Sequence, residues 1–172
     1  MYEDICRLLV DNGARLIYTT NRSVGSALSV LKGRYPALYC EVSTNEKIAY
    51  ELAFTASITA KRTACILSTE GLYEALDPVM SSAYTGVTGG FIVLCIQETE
   101  EEITPVGLFS KLPLIVAEGP AELARSIEFG YYLSEKYEIP VLIQATPLMD
   151  EGRGTSFKIK KFAIRNSQFA IR

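Results

Sequence analysis

Residues 91–96 read Phe91-Ile92-Val93-Leu94-Cys95-Ile96, six apolar side chains in succession. A strand with one wet face alternates apolar and polar residues, so a run without alternation predicts a strand covered on both faces. Thr63-Ala64-Cys65-Ile66-Leu67 has the same character. Such strands belong to parallel sheets, whose crossover connections place helices on both faces.

The sequence on either side fits that reading. Ile5, Leu8 and Leu9 share one face of a helix over 2–12, which Asn12-Gly13 ends. A strand follows at Ala14–Tyr18, then a polar turn, a helix over Val24–Leu31 and a strand at Ala37–Val42. Ser43-Thr44-Asn45-Glu46 starts the next helix, with Thr44 or Ser43 as its cap and Glu46 in its first turn. Its apolar stripe is Ile48, Leu52, Ala53 and Ala56, with Phe54 and Ile58 outside the stripe, so more than one side is expected to be buried. Residues 71–83 are helical in character, interrupted at Asp77-Pro78. Leu114–Ala117 and Pro140–Ala145 complete six strands, with a helix over Ala121–Lys136 between them. Six strands and five helical segments predict a doubly wound α/β domain, a mainly parallel six-stranded sheet with helices on both faces. No linker divides it; residues 1–150 form the domain and 151–172 a basic tail.

Composition narrows the chemistry. The chain has 172 residues and no histidine, which removes Ser-His-Asp and Cys-His nucleophile pairs and His-ligated zinc. Cys6, Cys40, Cys65 and Cys95 are far apart, so no iron–sulfur or zinc-ribbon spacing exists and buried free thiols are expected. Six of the 17 basic residues and none of the 20 acidic ones lie from Gly152 onward, leaving an acidic body that argues against a nucleic-acid surface. No apolar run approaches the ~20 residues of a membrane-spanning helix, and the acidic start carries no signal-peptide pattern. A cytoplasmic protein is expected.

Ligands of open parallel sheets bind beyond the carboxyl ends of the strands. Here those positions are Thr19–Ser23, Ser43–Glu46, Ser68–Gly71, Gln97–Glu102 and Thr146-Pro147. None carries G-x-G-x-x-G or G-x-x-x-x-G-K-[ST], and the Gly86–Gly90 stretch precedes a strand, where it predicts a turn. Glu46 has two readings on physics alone: a carboxylate complementing the helix dipole, or a partly shielded one that exchanges a proton with a ligand.

Ser43-Thr44-Asn45-Glu46-Lys47-Ile48-Ala49-Tyr50-Glu51 resembles the pyrimidine-binding (PYR) domain of thiamine-diphosphate enzymes. So does Ala75-Leu76-Asp77-Pro78-Val79-Met80, continuing through Ala83-Tyr84-Thr85-Gly86-Val87-Thr88-Gly89-Gly90. The nearest likeness, over about residues 5–147, is to the large subunit of indolepyruvate ferredoxin oxidoreductase, among the 2-oxoacid:ferredoxin oxidoreductases. The resemblance implies a PYR-type thiamine-diphosphate-binding fold in which Glu46 shares a proton with N1′ of the aminopyrimidine, as catalytic and cofactor-binding residue. It places Gly71, Tyr84 and Thr85 in segments that wall the cofactor.

The chain departs from the family in three places. Where the family has a G-Y-P-G-T-P-like turn, this chain has Ile17–Ser23, and Thr20, Asn21 and Arg22 take the substrate side, with Arg22 available to a carboxylate. The family's loop with His, Ser, Gln and Asn after the fourth strand is replaced by the acidic Gln97–Pro105, which would repel an anionic 2-oxoacid, so either the loop points away or the substrate is different. No G-D-G motif and no ferredoxin-like cysteine cluster are present. The resemblance therefore implies half a site, in a 2-oxoacid oxidoreductase or decarboxylase complex and inactive as a lone chain. A diphosphate-binding (PP) domain subunit would hold Mg²⁺ and the diphosphate, no Fe–S would lie in this chain, and a homo- or hetero-oligomer is expected. Two alternatives stay open: a diverged non-catalytic PYR-fold interaction or regulatory domain, and a truncated fragment of the large subunit, suggested by the basic stretch after Gly154.

Overall fold

The computed structural model describes residues 2–97 and 102–146. Six strands form one sheet: β1 Leu16–Thr19, β2 Tyr39–Val42, β3 Thr63–Ser68, β4 Phe91–Ile96, β5 Leu114–Ala117 and β6 Val141–Ala145. Their order is β2-β1-β3-β4-β6-β5, and every neighbouring pair is parallel. The doubly wound sheet with helices on both faces is thus confirmed. Helices α1 Tyr2–Asp11, α2 Arg22–Lys32 and α7 Pro120–Tyr137 cover one face. Helices α3 Glu46–Ser57, α4 Thr69–Glu74, α5 Leu76–Thr85 and α6 Thr104–Ser110 cover the other. The unbroken run of β4 is divided between them: Ile92, Leu94 and Ile96 join the first core, Phe91, Val93 and Cys95 the second. No helix among the described residues is long and apolar enough to cross a membrane.

Four local expectations change. The described residues hold seven helices, not five helical segments. The break after β3 falls at Ala75, and Pro78 sits in the first turn of α5, where its missing N–H costs nothing. Helix α6, with Pro105 in its first turn, begins within the Gln97–Pro105 stretch expected to be loop and runs on through residues given no assignment from sequence. The cap of α3 is Asn45, whose Oδ1 accepts the Ile48 N–H at 2.9 Å, and not Ser43 or Thr44. Ser43 is instead tied to β1, its N–H donating to Thr19 O at 2.8 Å.

The buried face of α3 is also rotated, to Ala49, Tyr50, Ala53 and Ser57, leaving Ile48 and Leu52 outside. Small residues let the helix lie close on the sheet, and the buried Tyr50 hydroxyl finds Ser82 Oγ on α5 at 2.7 Å. Of the two residues outside the expected stripe, Phe54 packs partly against the core and Ile58 is exposed. Gly86 (φ +80°) makes the expected turn, and at Gly89 the chain passes so close to the Lys61 backbone that a Cβ would collide with it. Cys6, Cys65 and Cys95 are buried free thiols and Cys40 is half-buried. Burial pushes the Cys6 thiol up to about 12, beyond thiolate chemistry at neutral pH.

At the amino edge of the sheet, Arg62 clips three elements together. It binds both Glu135 oxygens at 2.6 and 2.8 Å, donates to Asn12 O at 2.7 Å, and lies 5.0 Å over the Tyr131 ring. The Arg62 hydrogen bond holds the Glu135 carboxyl below its usual 4.5. A depressed carboxylate stabilises the fold above its unfolded value and ceases to as pH falls through its folded one. Both side chains are more than a third exposed, so solvent screens the pair. Arg62→Ala should therefore cost about 1–2 kcal/mol at pH 7, from the pair, the ring contact and the uncapped Asn12 carbonyl together. Urea titrations at pH 7 and near pH 3 should show the ion-pair part of that difference shrinking at acid pH, and a constant difference would exclude it.

Candidate functional site

Sheet topology selects one crevice. Helix α2 leaves β1 over the first face, and α4 leaves β3 over the second, although β1 and β3 are neighbours. The loops diverge there and open a gap at the carboxyl edge, the position where doubly wound sheets bind ligands. Thr20–Arg22 line its β1 side and Thr69–Gly71 its β3 side. Helix α3 crosses from the edge strand β2 to β3 over the second face and brings Glu46, its first residue, to the same edge.

Glu46 is half-buried and wedged against Gly71: a Cβ on Gly71 would lie 2.9 Å from Glu46 Cγ and 3.2 Å from Ser68 Oγ. Ser68 Oγ accepts the Gly71 N–H at 3.0 Å and fixes that backbone. Beneath it, Cys65 on β3 is raised well above its usual value, first by burial, then by the neighbouring Cys95 and Glu46 charges. Thr69 is fully buried beside Gly71, and its Oγ1 has no partner among the described residues. A buried hydroxyl so placed is an orphan donor.

On the β1 side, Thr19 Oγ1 accepts the Asn21 N–H at 3.1 Å. Asn21 Oδ1 caps α2 by accepting from Ser23 and Val24 at 2.8 and 3.2 Å, which leaves only its amide NH₂ to face a ligand. Thr20 is half-buried; Arg22 is exposed, and its guanidinium has no partner among the described residues. Glu46, Gly71 and the Thr20–Arg22 turn are thus assembled at one edge.

Tyr84 and Thr85 are not brought to them. Helix α5 runs against the strands, and its last turn reaches the opposite edge, where the Val87 N–H donates to Glu138 O just before β6. A six-residue strand such as β4 spans about 17 Å, so the two groups are separated by the full length of the strands. Tyr84 is 96% exposed.

Residues not singled out from sequence also belong to this edge. Ser68 and Thr69 lay in a named segment but showed no signal of their own. Gln144, buried in the apolar β6, is signalled by being an amide there: its Oε1 accepts the Ile103 N–H at 3.1 Å and its Nε2 donates to Gln97 at 2.9 Å. Residues 98–101 of the acidic 97–105 loop, Pro147 and the basic tail lie outside the described residues.

No family model matches this chain. The fold is that of 2-oxoglutarate:ferredoxin oxidoreductase from Magnetococcus marinus, with a TM-score of 0.68 and 14% identity over 84% of this chain and 28% of that one. The chain therefore has the α/β fold of a domain of that enzyme. Its sequence is more particular. It is 32% identical to the indolepyruvate oxidoreductase subunit IorA of Methanothermobacter marburgensis over 143 residues, 79% of this chain and 23% of that one. IorA of Archaeoglobus fulgidus is 28% identical over 139 residues, 77% and 22% of the two chains. It is an IorA-like domain, spanning less than a quarter of the length of the curated relatives it matches.

Proposed function

We propose that this chain provides the pyrimidine-binding half of a thiamine-diphosphate site in a 2-oxoacid oxidoreductase or decarboxylase complex, most like indolepyruvate ferredoxin oxidoreductase. A second chain with a diphosphate-binding domain would hold Mg²⁺ and the diphosphate. One observation carries the reading: the sequence motif and the β1/β3 crevice point to the same carboxylate, Glu46, half-buried over a glycine that no other residue could replace without moving it. The residues fit the group. A half-buried carboxylate suits a ring nitrogen that exchanges a proton, the bare Gly71 makes the space that the Glu46 side chain itself fills, and Thr69 beside it keeps a buried hydroxyl without a protein partner.

When bound, thiamine diphosphate supplies a nucleophilic carbon and an electron sink for cleavage of a 2-oxoacid. The chain's own work is narrower. Glu46 holds a proton at the pyrimidine nitrogen, and the partner's surface completes its shielding from water. Gly71, held by Ser68, sets where that carboxylate stands. Arg22 and the Asn21 amide, across the crevice, meet the carboxylate of the substrate. Tyr84 and Thr85 stand apart from this group, and the reading does not depend on them.

Gentle affinity purification of the chain from its own cells, with mass spectrometry and an assay of the eluate for thiamine diphosphate, tests the proposal. The expected eluate contains a partner bearing a Gly-Asp-Gly diphosphate motif together with the cofactor. A chain recovered in a stable complex whose partner lacks that motif, with no cofactor present, overturns it.

A further inference from the structure

Strand β6 is buried along its whole length and is apolar but for Gln144, which stands level with Cys95 of β4 and Val116 of β5. An apolar side chain would fill that place without desolvating an amide, so Gln144 is explained by what it binds. Its Oε1 holds the Ile103 N–H and its Nε2 holds Gln97 Oε1. One buried side chain thus ties down the residues that enter and leave the stretch between β4 and α6. Next to Ile103, the Glu102 carbonyl accepts the Tyr73 hydroxyl at 3.0 Å. Tyr73 belongs to α4, two residues past the Gly71 that crowds Glu46. A continuous set of bonds therefore runs from β6 through residues 102–103 to the helix that places the candidate carboxylate.

Helix α4 needs such support. Its six residues are too few to hold a helix together in water, and one of them is glycine. The buried Thr69 hydroxyl at its start has no partner among the described residues. Ser68 caps the first turn through the Gly71 N–H, and the Tyr73 hydroxyl restrains the last. We infer that Tyr73 and Gln144 are positioning residues: acting through the Glu102–Ile103 backbone, they fix the tilt of α4 and so the place of Gly71 against the Glu46 side chain. This role requires no contact with a ligand. For its effect on turnover the inference rests on the cofactor reading of Glu46; for the placement of Glu46 within the chain it does not.

The test reads Glu46 directly in the full chain, with neither cofactor nor partner, from the carboxyl carbons of isotopically labelled glutamate in a nuclear magnetic resonance spectrum. Glu46→Gln identifies the resonance by its loss. Tyr73→Phe removes one hydroxyl and keeps the ring. It should shift the Glu46 resonance and speed amide hydrogen exchange over residues 69–74 by about tenfold, with β3 and β4 protected as in the parent. Gln144→Met, close in length and volume, should reproduce both changes; where it fails to fold, Tyr73→Phe decides. Tyr35→Phe, which removes a hydroxyl bonded to Asp11 on the opposite face, should leave both unchanged. In the reconstituted complex, Tyr73→Phe should lower kcat about fivefold at unchanged KM, and should add nothing to Glu46→Gln. An unmoved Glu46 resonance, or parent-like exchange over α4, overturns the inference. So does parent-like turnover of Tyr73→Phe in a complex that Glu46→Gln inactivates. A complex indifferent to Glu46→Gln defeats the cofactor reading instead, and the resonance and exchange data then decide the placement of Glu46 on their own.

Discussion

Replacing Glu46 by Gln should lower turnover of the reconstituted complex by roughly 10²–10⁴-fold, the usual contribution of a positioned proton-transfer group. Glutamine keeps the length and packing of the side chain over Gly71, and the cap of α3 belongs to Asn45, so the fold has no reason to change. What disappears is the ability to take and return a proton. Assembly, followed by size exclusion, should match the parent, while steady-state turnover of 2-oxoacid collapses. Wild-type rates in an intact complex would remove Glu46 from the chemistry and leave it the role of a charge at a helix N-terminus.

Gly71→Ala is the second large effect. The added methyl would stand 2.9 Å from Glu46 Cγ, closer than real contacts allow, and Ser68 Oγ at 3.2 Å restricts relief on the other side. The carboxylate must swing away, and a displacement of about 1 Å at a reacting group can cost on the order of 10²-fold. Stability should change by less than about 1 kcal/mol, since alanine's better helix propensity offsets part of the crowding. The discriminating measurement is the double variant with Glu46→Gln. If Gly71 acts by placing Glu46, adding Gly71→Ala to the glutamine variant should reduce turnover little further. Full additivity would mean that Gly71 meets the ligand by itself.

The strands were legible because burial on two faces leaves a run with no polar interruption, as in β4 and β5, whose ends match the sequence reading residue for residue. Helix α3 was legible in extent but not in phase. Its helical period is plain, yet Tyr50 turns inward, where its hydroxyl hydrogen-bonds Ser82, 32 residues away, and no local pattern carries that partner. Helix α6 escaped because seven residues with an internal glycine look like a loop until Val106 is buried under the second core. For the site, physics alone marked Glu46 as a charge at a helix start; only its nearness to Gly71 shows why that glycine matters. Tyr84 and Thr85 lie in a sequence stretch that runs on from the Asp77-Pro78 motif, but a helix following a strand carries its end to the other side of the sheet. Counting that reversal separates them from Glu46.

The crevice is drawn wholly from residues 19–71: the turn after β1, the start of α3 and the start of α4. Everything from α5 to β6 supports it from the side. During vectorial synthesis the residues of the crevice are therefore all made before the second half of the sheet is begun. Insertions or losses in the α6–β5 region alter the flank of the domain and not the contiguous stretch that forms the crevice.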